Sequence, residues 1–420
     1  MKVKEKLSLL ISFVLIFTLG CSPKTTTKKE DNQSGSKIAK NSSNIHHVHK
    51  YKKSDLIKDK INRMTLDEKI GQLVISGIDG TSLNKYSKAL ITNYHVGGFI
   101  LFSSNIKNIE QTHKLINSLK TTNSKHSNIP LFLGIDEEGG RVSRMPLAFK
   151  KLPTSKAVGT VNNAKFSYNI GKLLGRELNF FGFNIDFAPV MDINSNPRNP
   201  VIGDRSFGNN AAIVSKLGIA TMKGIKSQKI ISTIKHFPGH GDTSVDSHLG
   251  LPIVQNSYNK LKNRELIPFS SAIKNGADMV MVAHILLTKI DNKYPASLSK
   301  NILTGLLRKK LEFNGVIITD DMTMGAIEKN YSIEKAAVNS LKAGTDIILV
   351  CHGYNNEVKV IKQIKTAAKN KTLSIKSINE KVYRILKLKN KFKLKDTRST
   401  AKDVNNINSA ITLLLNKYTK

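Results

Sequence analysis

Residues 230–248 read Ile-Ile-Ser-Thr-Ile-Lys-His-Phe-Pro-Gly-His-Gly-Asp-Thr-Ser-Val-Asp-Ser-His. An apolar run ends at Ile234, and the next fourteen positions hold three histidines, two aspartates, one lysine and three Pro or Gly residues. A buried strand delivering a polar loop has this pattern. Pro238, Gly239 and Gly241 break any helix, so His236 and His240 are not a metal pair on one helical face. Asp246 and His248 lie two residues apart, close enough for a carboxylate to orient an imidazole as acid and base. A solvated turn and a loop zinc site built from the histidines are the other readings of the same residues.

The strand that feeds this loop, residues 233–237, is one of eight short apolar runs. The others are 73–75, 96–102, 131–135, 183–187, 279–283, 316–319 and 347–351. Stretches of helical period separate them at 166–181, 211–225, 260–274, 300–313 and 333–342. Strict alternation predicts a parallel sheet, and a count of eight predicts closure into a (β/α)8 TIM-type barrel forming a single catalytic domain. A doubly wound open sheet is the alternative, but no Gly-x-Gly-x-x-Gly follows the first run. Just past the runs stand Asp79, Ser103, Asp136, Asp192, His236, His284, Asp320 and His352, as on the catalytic face of a barrel.

Two further helical patterns, 358–368 and 378–388, complete a domain expected over residues 54–392. The basic tail 393–420 places Ile407, Ile411, Leu414 and Leu415 on one helical face, which predicts a helix docking on the barrel.

Residues 315–326, Gly-Val-Ile-Ile-Thr-Asp-Asp-Met-Thr-Met-Gly-Ala, put two carboxylates at the end of the seventh strand. Asp320 is the first polar group beyond it and suits a nucleophile at the barrel mouth. Asp321 reads as the N-cap of the helix that follows. Residues 134–144, Gly-Ile-Asp-Glu-Glu-Gly-Gly-Arg-Val-Ser-Arg, carry Asp136 to a strand end beside two glycines that let backbone approach a ligand. For any single arginine here, a surface ion pair is the simpler assignment.

The chain has 420 residues and 66 Lys or Arg against 31 Asp or Glu, a net charge of +35. No basic-aromatic nucleic-acid module appears, so an anionic membrane or cell wall is the better partner for that charge. A Lys-rich compositional bias unrelated to function is the other explanation. Two cysteines, Cys21 and Cys351, imply no disulfide framework. Residues 1–21 have Lys2, Lys4 and Lys6, an apolar stretch too short to span a bilayer, and the ending Leu19-Gly20-Cys21, the pattern of a secretion signal, with an uncleaved signal anchor as the other reading. Residues 22–53 are polar and basic, a flexible tether with a span on the order of 30 Å. Its His46, His47 and His49 read as solvated.

The run Lys-His-Phe-Pro-Gly-His-Gly followed by Asp-Ser-His resembles the β-N-acetylglucosaminidase (β-hexosaminidase) branch of glycoside hydrolase family 3, and Leu-Gly-Cys resembles a bacterial lipobox. The resemblance implies Cys21 as the lipidated residue of a protein anchored at the extracytoplasmic face of the cell membrane. It makes Asp320 the nucleophile, His248 the acid/base and Asp246 its partner. It assigns sugar contacts to Asp136, Arg144, Lys235 and His236, and to Arg205 in the Gly-Asp-Arg-Ser-Phe-Gly of residues 203–208. The activity it implies is removal of terminal N-acetylglucosamine from peptidoglycan fragments through a covalent glycosyl-aspartate. No metal, organic cofactor or specific nucleic acid is implied. A sugar-binding lipoprotein of a transport system, a β-glucosidase and an N-acetylglucosaminide phosphorylase remain as alternatives, as does assistance by the substrate's own acetamido group.

Overall fold

The computed structural model describes residues 55–400 and 403–419. The expected signal with Cys21 and the tether over 22–53 lie outside them.

Eight parallel strands close on themselves: β1 Val74–Ser76, β2 Gly98–Leu101, β3 Phe132–Ile135, β4 Ile185–Asp186, β5 Ile231–Phe237, β6 Met279–Val282, β7 Val316–Asp321 and β8 Ile347–Val350. Each pairs with its neighbours in chain order, and Val74 opposite Ile348 closes the ring between β1 and β8. This is the expected barrel, with all eight apolar runs in place. The strands are buried on both faces, because side chains fill the interior and helices cover the outside. A short parallel ribbon, Ile253–Val254 with Leu286–Leu287, stands outside the ring.

Two of the pairings carry an extra residue. Between Ile234 and Phe237, β5 advances three positions while β6 advances two, from Val280 to Val282. Between Ile318 and Asp321, β7 does the same against Ile347 and Leu349 of β8. Bulges of this kind re-aim side chains at the rim of a barrel. Here they fall at Lys235–His236 and at Thr319–Asp320.

The expected helix over 260–274 is two helices, Tyr258–Lys262 and Leu266–Lys274. Pro268 falls in the first turn of the second helix, where no N–H is required of it; in one continuous helix it would leave the carbonyl of Arg264 without its donor. Residues Asn301–Lys310 are wound as a π-helix rather than an α-helix. In the tail, helix Asn405–Tyr418 buries Ile407 and Ile411 and packs on helix Ala164–Phe181.

Helix Ile375–Lys391 lies across the amino-terminal ends of the strands. Lys381 Nζ donates to the carbonyl of Thr345 at 2.8 Å, and Arg384 Nε to Asp346 at 2.8 Å, both just before β8. Lys391 pairs with Asp278, just before β6. Buried Lys389 plugs the centre, donating to Gln72 Oε1 at 2.8 Å and to the carbonyls of Gly97 at 3.0 Å and Pro130 at 2.7 Å, over the ring of Phe132. Lys389→Met would leave Gln72 Oε1 and the Pro130 carbonyl without a donor, while the Gly97 carbonyl keeps the N–H of Phe132. A loss on the order of 3 kcal/mol is expected, seen in calorimetry as a fall in Tm of about 5 °C or more; an unchanged Tm would mean that the plug is not needed.

Candidate active site

At the carboxyl ends of the strands lies a cavity of about 390 Å³, within the size range of small-ligand sites. All eight candidate residues line it: Asp136, Arg144, Arg205, Lys235, His236, Asp246, His248 and Asp320. Asp136 follows β3, Lys235 and His236 end β5, and Asp320 ends β7, while loops bring the rest.

The floor is a charge network. Lys235, buried, donates to Asp136 Oδ1 at 2.6 Å and to Glu138 Oε1 at 2.7 Å. Arg205 grips Glu138 with two parallel bonds, Nε to Oε2 at 2.8 Å and Nη2 to Oε1 at 2.7 Å. Two cations thus face two carboxylates. Burial works to raise the Glu138 carboxyl, but Arg205 and Lys235 hold it well below the usual range. Burial likewise opposes the Lys235 ammonium, and Asp136 and Glu138 outweigh it, so its proton is held more tightly than usual. Behind this network, burial pushes the Glu137 carboxyl up to about 7, and Glu177 and Asp186, also buried, shift the same way.

His236 is oriented from behind by Asp192, whose carboxylate accepts from the ring Nδ1 at 2.7 Å. The same carboxylate accepts from the backbone N–H of His236 and, at 2.7 Å, of His240. This arrangement leaves His236 Nε2 facing Arg205 and the cavity, 3.4 Å from Nη2. Arg144 donates its backbone N–H to Glu137, and its buried Nε has no protein partner, leaving a donor for a ligand.

Asp246 and His248 meet as expected. The carboxylate accepts from His248 Nδ1 at 2.8 Å and from its backbone N–H at 2.9 Å. Burial raises the Asp246 carboxyl, and these two bonds more than offset it, so the group lies below its ordinary value. The imidazole itself is 65% exposed, with Nε2 unengaged by the couple. The loop is held at both ends. Gly241 approaches the carbonyl of Ile193 so closely that a Cβ would lie 1.6 Å from the oxygen. Ala326 and Gly325 donate their N–H groups to the carbonyls of Ser247 and His248. His240 Nε2 lies 3.1 Å from Ser247 Oγ, and burial drives the pKa of that imidazole down to about 4, so it braces the loop as a neutral ring.

Asp320 is half-buried, and its Oδ1 accepts from the N–H of Asp321 at 2.9 Å. Burial raises the carboxyl; the imidazoles of His236 and His284, that N–H and the Lys235 ammonium lower it further than burial raises it. The group is ionised near neutrality. Asp321 does not cap the next helix, which starts at Gly325 with Met324 in the cap position. It accepts instead from the N–H groups of Thr323 and Cys351, both at 2.9 Å, tying β7 to β8. Among the described residues, no group of three His, Cys, Asp or Glu is arranged to hold a metal ion.

Residues 65–388 match the model of the glycosyl hydrolase family 3 N-terminal domain. The chain belongs to glycoside hydrolase family 3. It is 36% identical over 334 residues to the β-hexosaminidase A of Pseudoalteromonas piscicida, covering 74% of this chain and 56% of that protein. To a β-hexosaminidase of Idiomarina loihiensis it is 35% identical over 296 residues, covering 70% of this chain and 87% of the other. A family 3 β-N-acetylglucosaminidase from Paenibacillus sp. str. FPU-7 superposes with a TM-score of 0.80 at 37% identity, covering 84% of this chain and 69% of that one.

In this family 3 chain, several residues of the site escaped sequence reasoning. Glu138 is the hub of the network, yet in sequence it is one of three consecutive acids, and nothing marks it above Glu137. Its place two residues beyond Asp136 and directly before Gly139 was the available signal. Asp192 stood out only as a polar residue past a strand. His352 likewise stood out only as a polar residue past a strand; its ring stacks on that of Phe102, 250 residues away in sequence, at 5.2 Å on the cavity wall.

Glu138→Gln leaves Lys235 and Arg205 short of one buried charge, which should cost about 3 kcal/mol at neutral pH. Because the folded carboxyl is held below its ordinary 4.5, its stabilisation is complete above that pH and fades as the pH falls through the folded value. Urea unfolding at several pH values should therefore show the wild type and Glu138→Gln converging below pH 4.5; a gap that widens in acid would contradict the assignment.

Proposed function

We propose that this chain is a retaining exo-β-N-acetylglucosaminidase that releases terminal non-reducing N-acetylglucosamine. The observation that carries the reading is one cavity lined both by an ionised carboxylate, Asp320, and by an imidazole paired with a carboxylate, His248 with Asp246. The β-hexosaminidase and β-N-acetylglucosaminidase names of the relatives support the choice of sugar.

In the first step Asp320 attacks the anomeric carbon, and the bond to the leaving oxygen breaks as His248 delivers its proton there. A glycosyl ester on Asp320 results. In the second step His248, now neutral, takes a proton from water, whose oxygen attacks the same carbon and frees the carboxylate. Asp246 stabilises the imidazolium and aims the ring, which is the work of a carboxylate behind a catalytic histidine. Asp136, Lys235, His236, Arg205 and Arg144 offer donors and acceptors to the sugar hydroxyls and acetamido group. Arg144 Nε, buried without a partner, supports such a contact, since an unpaired buried donor costs free energy until a ligand meets it.

The natural substrate in this reading is a peptidoglycan fragment bearing N-acetylglucosamine. Leu19-Gly20-Cys21 and the polar stretch 22–53 support a lipid-anchored protein on the extracytoplasmic face of the membrane.

On an aryl β-N-acetylglucosaminide, Asp320→Ala should lose activity by roughly 10⁴-fold or more, since nothing replaces the nucleophile. His248→Ala should lose about 10²–10⁴-fold, and less with a good leaving group than with a poor one. A fluorinated sugar that slows the second step should add its mass to the peptide containing Asp320. A label on another residue, or full activity in His248→Ala, would contradict the mechanism.

A further inference from the structure

The end of the barrel opposite the cavity is closed by helix Ile375–Lys391, which lies across the strand amino termini. Its inner side is spent on the barrel: Lys381, Arg384 and Lys389 all bond to groups just before the strands. Its outer side is a separate matter. From residue 375 to 395 the chain has eight Lys or Arg and one acid, Glu380, and Lys376, Lys387, Lys393 and Lys395 are exposed. Helix Leu56–Arg63 packs beside it and adds exposed Lys58 and Arg63. Capping the barrel requires none of these exposed side chains.

Two further observations concern the same face. Leu56 is 77% exposed and Ile375 is 44% exposed, so each of the two helices begins with an apolar side chain in solvent among the lysines. The described chain also begins here, with Asp55 held by the hydroxyl of Tyr383, which donates to Oδ2 at 3.0 Å. Residues 1–54 therefore join the barrel at this end.

We propose that this closed end of the barrel is a docking surface for an anionic lipid bilayer. The exposed lysines meet headgroup phosphates, each adding to the attraction near a charged leaflet. Leu56 and Ile375 enter the interfacial layer, as apolar residues on basic helices do. A soluble phosphate polymer would use the lysines but leave the two apolar side chains idle, which favours the bilayer. The consequence is orientational: the cavity opens away from the membrane. The inference stands apart from the proposed hydrolysis and does not need lipid on Cys21.

The test uses the full chain, because residues 1–54 could hold it on any vesicle and binding alone decides nothing. A membrane-impermeant acylating reagent is applied with vesicles of phosphatidylglycerol and phosphatidylcholine, or of phosphatidylcholine alone, and each lysine is read by mass spectrometry. Lys376, Lys387 and Lys393 should react about tenfold more slowly on the anionic vesicles, and the protection should vanish near about 1 M salt, where screening is nearly complete. Lys289, on the loop beyond β6 at the cavity end, should react alike on both. A variant with Lys376, Lys387, Lys393 and Lys395 changed to Glu should keep its wild-type rate on a soluble substrate, and acylation of Lys58 should no longer differ between the vesicles. Equal protection on both vesicles, or protection of Lys289 instead, would overturn the proposal. Stronger protection by soluble inorganic polyphosphate than by the anionic vesicles would overturn the bilayer and assign the face to a phosphate polymer.

Discussion

One buried ammonium organises the mouth of this barrel. Lys235 lies at the end of β5 and bonds to two carboxylates delivered from β3, one of which also holds Arg205 from the loop beyond β4. Charges removed from water are tolerated only when paired and hydrogen-bonded, so three separate segments must converge on one point to within hydrogen-bonding distance. That demand fixes where Asp136 and Arg205 stand, and with them the floor of the cavity. It also has an electrostatic consequence. Two cations and two anions cancel, so the floor presents dipoles and hydrogen-bonding atoms rather than a net charge, as suits a neutral sugar ring.

Asp320 and the Asp246–His248 pair sit around that floor through two bulges and one braced loop. A regular strand alternates its side chains between the two faces; the extra residues in β5 and β7 break this at Lys235–His236 and Thr319–Asp320, where side chains must turn toward the mouth. Asp320 thereby comes under the influence of His236 and Lys235, which keep its carboxyl ionised despite burial. The loop ending at His248 needs different support, because its imidazole is open to solvent. Gly241 against Ile193 and the backbone bonds from Gly325 and Ala326 supply it, leaving the Asp246–His248 pair at the rim instead of free in solution.

The barrel was legible because its strands are buried on both faces, so most appear as short apolar runs, with Asn184 and Asp186 interrupting the fourth and Lys235 and His236 the fifth. The polar residues after the runs were legible for the complementary reason: core packing does not explain an aspartate or histidine there. What stayed hidden depends on partners distant in sequence. Glu138 looks like Glu137 until Lys235 and Arg205 are seen around it, and Asp192 looks like any loop acid until His236 leans on it. The bulges are a property of two strands compared, not of either alone. Helix Ile375–Lys391 showed its period but not that it lies across the barrel end, since Lys381, Arg384 and Lys389 read as ordinary surface cations. Asp321 misled for a local reason: a carboxylate before a helix suggests a cap, and the strand simply runs two residues further than its apolar run.

The central claim is that this cavity is built for an acetamido sugar and for its hydrolysis. The most direct measurement is the initial rate of the full chain on an aryl β-N-acetylglucosaminide beside the matching aryl β-glucoside. The account predicts rapid release from the acetamido sugar and little from the glucoside. Equal rates, a preference for the glucoside, or no reaction with either substrate by folded protein would contradict it.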